Sequence, residues 1–254
     1  MSEPSRKVAL AFLAHPDDAE FLCAGTLIRL AEAGWQIHIA TAAPGDCGTV
    51  DRTPWDISAI RTAEAQAAAR LIDATYHCLD ERDLMIVFDK PTLRKTIDLF
   101  RRVAPSLVFT HYVDDYMSDH REVSELARAA TFAHGAPNAS QFPLLEGTAV
   151  PYLYYCDPVE AVDTLGRTVE PTTVVDVSAQ MELKTRMLAC HASQREWLRA
   201  YHGNDEYLDS MRRHAAFRGS LAGTPAAEVF LQHRGHAYPR NDLLAELLPT
   251  TLRA

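Results

Sequence analysis

Short apolar runs alternate with longer stretches of helical spacing through the first half of the chain. Val8 to Leu13 is continuously apolar, as a strand buried on both faces would be. Glu20 to Ala33 places Leu22, Leu27, Leu30 and Ala31 at helical intervals and stops at Gly34. Gln36 to Ala42 predicts a second strand, followed by the loop Pro44-Gly45-Asp46-Cys47-Gly48. An alanine-rich helix is expected over Ser58 to Ile72, a short strand over Thr75 to Leu79 and a proline-opened helix over Pro91 to Val103. Ser106 to Thr110 then predicts a strand and Arg121 to Ala133 a helix.

This βαβα rhythm predicts an α/β, Rossmann-like, mostly parallel sheet with helices on both faces. The pattern loosens after residue 134. Gly135 to Pro151 predicts a loop, and Tyr152 to Cys156 and Thr173 to Val177 predict strands. Between those strands, Asp157 to Pro171 is expected as a loop or irregular hairpin. Helices are expected over Gln180 to Tyr201 and Asp205 to Phe217. With no repeat and no clear linker, residues 1–254 are expected to form a single domain, with a regular core over 1–134 and a smaller irregular cap over 135–254.

Composition narrows the class. At 254 residues and 47% hydrophobic, the chain can bury one sizeable core. A formal net charge of -9 argues against a nucleic-acid or anionic-membrane surface, both of which favour a basic face. Five cysteines, an odd number with no Cys-x-x-Cys pair, argue against a disulfide framework. The polar N-terminus does not resemble a signal peptide, and no apolar run reaches the length of a membrane span. A cytoplasmic protein is expected.

The chemistry concentrates where strands end. His15-Pro16-Asp17-Asp18-Ala19-Glu20 follows the first strand, and ligands of open α/β sheets bind at strand carboxyl ends. Charges beside a buried strand are costly unless paired or used, and a metal ion uses them. His15 and Asp18 can converge across the proline turn. A second polar cluster, His111 to His120, follows the Ser106 to Thr110 strand, and His120 would complete a set of two imidazoles and one carboxylate. That donor set suits a catalytic zinc, with Fe(II) as another divalent ion it would accept. Asp17, which cannot easily point the same way as Asp18, is left as general base. Asp119 is expected to orient His120. His111 is either a surface residue at a strand end or part of the site, and Asp46 either a turn former or a contact to a substrate hydroxyl.

The His15 to Glu20 run resembles the signature of the PIG-L/LmbE-like zinc deacetylases. Arg61-Thr62-Ala63-Glu64, Asp115 to His120, His191-Ala192-Ser193-Gln194, Phe217-Arg218-Gly219 and Ala227-Glu228-Val229-Phe230 extend the likeness over most of the chain. The resemblance implies zinc at His15, Asp18 and His120, Asp17 as base, Arg61 as a substrate contact and Asp115 as support for the site. It implies removal of acetyl from a small N-acetylated amino sugar or its conjugate, and an assembly of several copies is compatible with it. Two variants keep the machinery: a deacylase or amidase of a sugar-thiol or glycosylated natural product, and a metal-containing sugar-binding protein with weak activity. One position departs from the family. Met117 stands where a histidine usually helps stabilise the oxyanion or protonate the leaving amine, and methionine does neither. His191, His202, His214 and His233 are candidate substitutes.

Overall fold

A computed structural model describes residues 6–202 and 206–249, without the side chains of residues 200–202. Among the described residues, seven strands form one sheet: β1 (Val8–Leu13), β2 (Gln36–Thr41), β3 (Thr75–Cys78), β4 (Leu107–Thr110), β5 (Tyr152–Cys156), β6 (Thr173–Asp176) and β7 (Ala227–Gln232). Their order is β3-β2-β1-β4-β5-β7-β6. All neighbours from β3 to β5 are parallel, while β7 runs antiparallel to both β5 and β6. The mixed α/β class expected from the alternation is therefore the observed one. The β1 core residues Ala9 to Leu13 are all fully buried, the cause of the unbroken apolar run. Two apolar clusters, one on each face of the sheet, cover it. Leu13, Leu27, Ile37 and Phe230 belong to one, and Phe12, Phe100, Val108 and Leu153 to the other.

The helices are α1 (Asp18–Leu22), α2 (Ala24–Glu32), α3 (Pro54–Arg70), α4 (Lys90–Val103), α5 (Ser118–Ala133), α6 (Met181–Ala189), α7 (Ala192–His202), α8 (Tyr207–Ala222) and α9 (Leu243–Leu247). Local chemistry starts several of them. Thr53 caps α3 by accepting from the Asp56 N–H at 3.2 Å, with Pro54 in the first turn, and Asp89 caps α4 through the Thr92 N–H at 2.9 Å. None of these helices is long and apolar enough to cross a membrane.

Two expected helices are broken, each by a carboxylate from elsewhere. The Glu20 to Ala33 helix divides at Cys23, because Glu228 on β7 accepts the N–H groups of Gly25 (2.8 Å) and Thr26 (2.7 Å) and so caps a new helix start. A Cβ on Gly25 would lie 2.7 Å from Val177, so glycine permits this close packing. Lys184 of α6 neutralises Glu228 at 2.5 Å inside the protein. The Gln180 to Tyr201 helix divides at Cys190-His191. There Glu64 of α3 accepts the N–H (2.9 Å) and hydroxyl (2.6 Å) of Ser193 in the first turn of α7. Strand β7 and helix α9 were not anticipated. The segment between β5 and β6 is an irregular hairpin, with a bridge between Val162 and Thr168.

Candidate metal centre and its cavity

Strands β1 and β4 lie side by side at the centre of the sheet, and the chain leaves them in opposite directions to β2 and β5. That switch point opens a crevice at their carboxyl ends. His15 to Asp18 enter it from β1, and His111 to His120 from β4.

The turn after β1 separates two adjacent aspartates. Asp17 has φ 103°, a left-handed conformation that non-glycine residues seldom adopt. Asp18 folds back, its Oδ2 accepting the His15 N–H at 2.7 Å. Asp17 points elsewhere. Its Oδ2 accepts the Tyr207 hydroxyl at 2.6 Å and lies 3.5 Å from Arg61 Nη2. Arg61, buried on α3, also donates to the carbonyls of Pro16 (2.7 Å) and Gly45 (3.3 Å). A Cβ on Gly45, at φ +77°, would meet the guanidinium at 2.2 Å, so only glycine lets Arg61 reach this turn.

Donor atoms of three residues then face one another. His15 Nδ1 lies 3.5 Å from Asp18 Oδ2, and His120 Nε2 lies 3.6 Å from Asp18 Oδ1. The three residues offer donor atoms all within 4.8 Å of each other. Metal–ligand distances of about 2.0–2.1 Å in a tetrahedral site imply about 3.3 Å between ligand atoms, close to these spacings. Each imidazole is also turned correctly. His120 Nδ1 donates to Asp115 (2.9 Å), which frees Nε2 to bind a metal. His15 Nε2 faces Asp119 (3.1 Å) and Asp83 (3.0 Å), which frees Nδ1. The donor set and its orientation therefore fit a divalent metal ion.

The electrostatics follow from this crowding. Burial would lower the His15 pKa, but hydrogen bonds to Asp119, Asp18 and Asp83 raise it well above the ordinary imidazole value. Burial would raise Asp18, but the His120 and His111 rings hold it well below the usual carboxylate range. Asp17 is pushed up by burial, opposed by Arg61 and reinforced by Asp18.

Asp115 stands behind His120, accepting from its Nδ1. Asp119, expected beside His120, instead meets His15 and accepts the Leu84 N–H at 2.7 Å. The reason is helical geometry: neighbouring positions at the start of α5 face different directions. His111 is fully buried, not a surface residue. Its ring stacks on His120 at 3.8 Å between centroids, and its Nε2 lies 3.0 Å from the Ala14 N–H and 3.2 Å from Asp18. Asp46 is spent within its loop, accepting the Asp83 N–H (2.9 Å) and Arg82 Nε (2.7 Å). Arg61 touches Asp17 and two carbonyls, bracing the turn, and also lines the cavity above it.

A cavity of about 710 Å³ opens over the centre. Met117 lines it, and none of the described histidines proposed as substitutes does. His191 pairs with Glu20 (3.4 Å), His214 with Asp157 (3.0 Å) and His233 with the Tyr155 hydroxyl (2.9 Å). The His202 side chain lies outside the described residues. Tyr207, Tyr116 and Asp83, none anticipated, do line the cavity. Asp83 had a readable signal, since it follows the carboxyl end of β3 within the polar run Asp80-Glu81-Arg82-Asp83. Tyr207, from α8, had none.

Comparison with known proteins places the chain near one family. Residues 10–131 match the family described as PIG-L: GlcNAc-PI de-N-acetylase. The 4-oxalmesaconate hydratase of Pseudomonas putida is 27% identical over 197 residues, 74% of this chain and 74% of that protein. The diacetylchitobiose deacetylase of Thermococcus kodakarensis is 25% identical over 198 residues, 74% of this chain and 70% of that one. The crystal structure of GalB, the 4-carboxy-2-hydroxymuconate hydratase of P. putida, superposes with a TM-score of 0.76 at 23% identity, covering 93% of this chain and 100% of that one. That likeness is one of fold.

Proposed function

From a chain that carries a PIG-L family domain over residues 10–131, we propose a metal-dependent amide hydrolase that removes the acetyl group of an N-acetylated amino sugar or its conjugate. One observation carries the reading: His15, Asp18 and His120 turn their free donor atoms toward one point, while the adjacent Asp17 is turned out of that set. A divalent ion held there, zinc by its donor set, would supply a Lewis acid for water and for the amide carbonyl. The diacetylchitobiose deacetylase among the relatives supports the amide as the bond broken.

The chain's own residues supply the proton chemistry. Tyr207 and Arg61 hold Asp17 Oδ2, leaving Oδ1 to accept a proton from the attacking water. The proton on Asp17 then passes to the departing amine nitrogen as the C–N bond breaks. Acetate and a free amine result. Asp115 and Asp119 keep the two imidazoles oriented throughout. On the side of Met117, Tyr116 is the available hydrogen-bond donor. Its ring stands edge-on to His120 at 5.4 Å, and its hydroxyl has no hydrogen bond to a described residue.

The test is acetate release from N-acetylglucosamine and diacetylchitobiose by zinc-loaded protein, with and without chelator. Release that disappears on chelation is expected; no release from either substrate by the loaded protein overturns the reading. A second reading is favoured by Met117 together with the hydratase relative: addition of water across the double bond of an unsaturated acid, which needs no acid beside a leaving amine. Loss of the ultraviolet absorbance of 4-carboxy-2-hydroxymuconate, without any acetate release from the amides, would establish that reading instead.

A further inference from the structure

Much of the wall of the cavity over the candidate metal centre is apolar. Phe21 and Leu22 of α1, Met117 at the head of α5, Val159 after β5, and Trp197 and Leu198 of α7 all line it. Gln194, Trp197 and Leu198 sit at i, i+3 and i+4, so one face of α7 is turned toward the cavity. The polar groups at the other end of the lining are largely committed to each other. Asp17 holds Tyr207 and Arg61, Asp83 holds His15 and the Cys47 N–H, and His120 holds Asp115. Gln194 Oε1, by contrast, is buried beside Gly48 with no hydrogen-bond partner among the described residues, which leaves one acceptor at the edge of the apolar wall. An apolar cavity with a few placed polar groups is the usual form of a small-molecule site, and about 710 Å³ falls inside the about 300–1,000 Å³ range of such sites.

We propose that the substrate carries an alkyl or aromatic group next to the scissile amide, and that Trp197, Leu198, Phe21, Val159 and Met117 bind it. The proposal rests on the hydrolase reading of the centre. It gives Met117 a positive role, since a thioether supplies polarizable apolar contact where a histidine would present a polar ring. The group belongs either to the acyl side or to the leaving-amine side; its chemistry is the same in both cases, and the two are separable by experiment.

Ligands without an amide separate binding from turnover. Calorimetry on the zinc-loaded protein compares hexanoate with acetate for the acyl side, and hexyl β-glucoside with methyl β-glucoside for the leaving-group side. Burial of one methylene corresponds to about a fourfold change in affinity. At least tenfold tighter binding of the six-carbon member is expected in one pair. Trp197→Ser and, separately, Leu198→Asn should bring that ratio below threefold while the far-ultraviolet circular dichroism of each variant stays native. Ratios below threefold in both pairs for the parent protein overturn the proposal, as does a ratio that survives both substitutions. Amine release from N-acetyl- and N-hexanoylglucosamine is measured beside these. Its absence from every member overturns the hydrolase reading, and the binding ratios judge the apolar wall independently.

Discussion

The two halves of the molecule divide the labour of the site unequally. Among the described residues, the half built on β1 to β4 supplies every candidate metal donor and the proposed base, all from the carboxyl ends of parallel strands or the helices that follow them. The half built on β5 to β7 and α6 to α8 supplies no donor to that set. It contributes Tyr207 on the base, the Gln194–Leu198 face on the cavity, and Glu228, which starts α2. Chemistry is thus carried by short sequence-local turns, whereas its positioning and its walls are carried by long-range contacts. A catalytic group needs particular residue types close together, which a motif can hold. A brace needs only an atom in the right place, which any element can deliver.

Substitutions in the first half should therefore abolish turnover, and those in the second should graduate it. Asp18→Ala and His120→Ala should each leave less than about a tenth of the parent's bound zinc after dialysis and lower turnover by at least about 10³-fold, since the remaining two donors do not make a catalytic site. Metal analysis beside an acetate assay checks this, and full zinc retention in either variant would remove that residue from the donor set. Asp17→Asn should keep the metal and lose about 10²–10⁴ in kcat, the usual contribution of a positioned acid–base group. Near-normal kcat would take Asp17 out of the role of base.

In the second half the largest effect should fall on stability. Glu228→Gln leaves the Lys184 ammonium buried without its counter-charge and is expected to cost about 3–5 kcal/mol in denaturant unfolding. Lys184→Met should cost less, because the Glu228 carboxylate keeps the Gly25 and Thr26 N–H groups. The reverse ranking would mean that the helix cap, not the charge pair, is the weaker element. Tyr207→Phe removes one hydrogen bond to a carboxylate, worth about 1.5–3 kcal/mol, and should lower kcat by roughly ten- to a hundredfold with zinc content unchanged. An unchanged kcat would show that Arg61 alone holds Asp17.

The smallest effect lies at the sheet edge, far from the chemistry. His38 and His77 stack on β2 and β3 with a 2.9 Å nitrogen–nitrogen contact. Burial lowers both, and the neighbouring His38 and Arg102 charges take His77 further, to about 4. Unfolded histidine titrates near 6.5, so between about pH 6.5 and 4 the unfolded chain binds more protons than the folded one. This pair's contribution to stability is therefore present above about pH 6.5 and is lost as pH falls toward 4. His77→Gln should flatten the fall of Tm between pH 7 and 5; an equally steep fall would place that acid sensitivity elsewhere.

Legibility followed the same division. The Val8–Leu13 run, the His15 to Asp18 turn and His120 could be read directly, because burial on both faces and a converging set of imidazole and carboxylate donors each demand specific residue types at short range. The breaks at Cys23 and Cys190 could not be. Both stretches keep helical spacing, and what divides them is a carboxylate 202–203 or 129 positions away in the chain reaching free N–H groups. Asp119 was placed in the centre but beside the wrong imidazole, since sequence adjacency to His120 says nothing about which way a helix turns its side chains. Arg61 was expected to contact substrate, and its buried bonds to Pro16, Gly45 and Asp17 became visible only when α3 was laid against the β1 turn.

By itself, the sequence determined the parallel core, the strand ends that carry the chemistry and the residue types able to hold a divalent ion. These are consequences of local pattern: hydrophobic period, turn formers and donor spacing. Only the tertiary structure decided that Asp115 orients His120 while Asp83 and Asp119 orient His15, that Tyr207 and Arg61 grip Asp17, and that α7 lends the cavity an apolar wall. Those arrangements depend on which distant elements the sheet order and helix packing bring together, and packing is set by the whole chain at once.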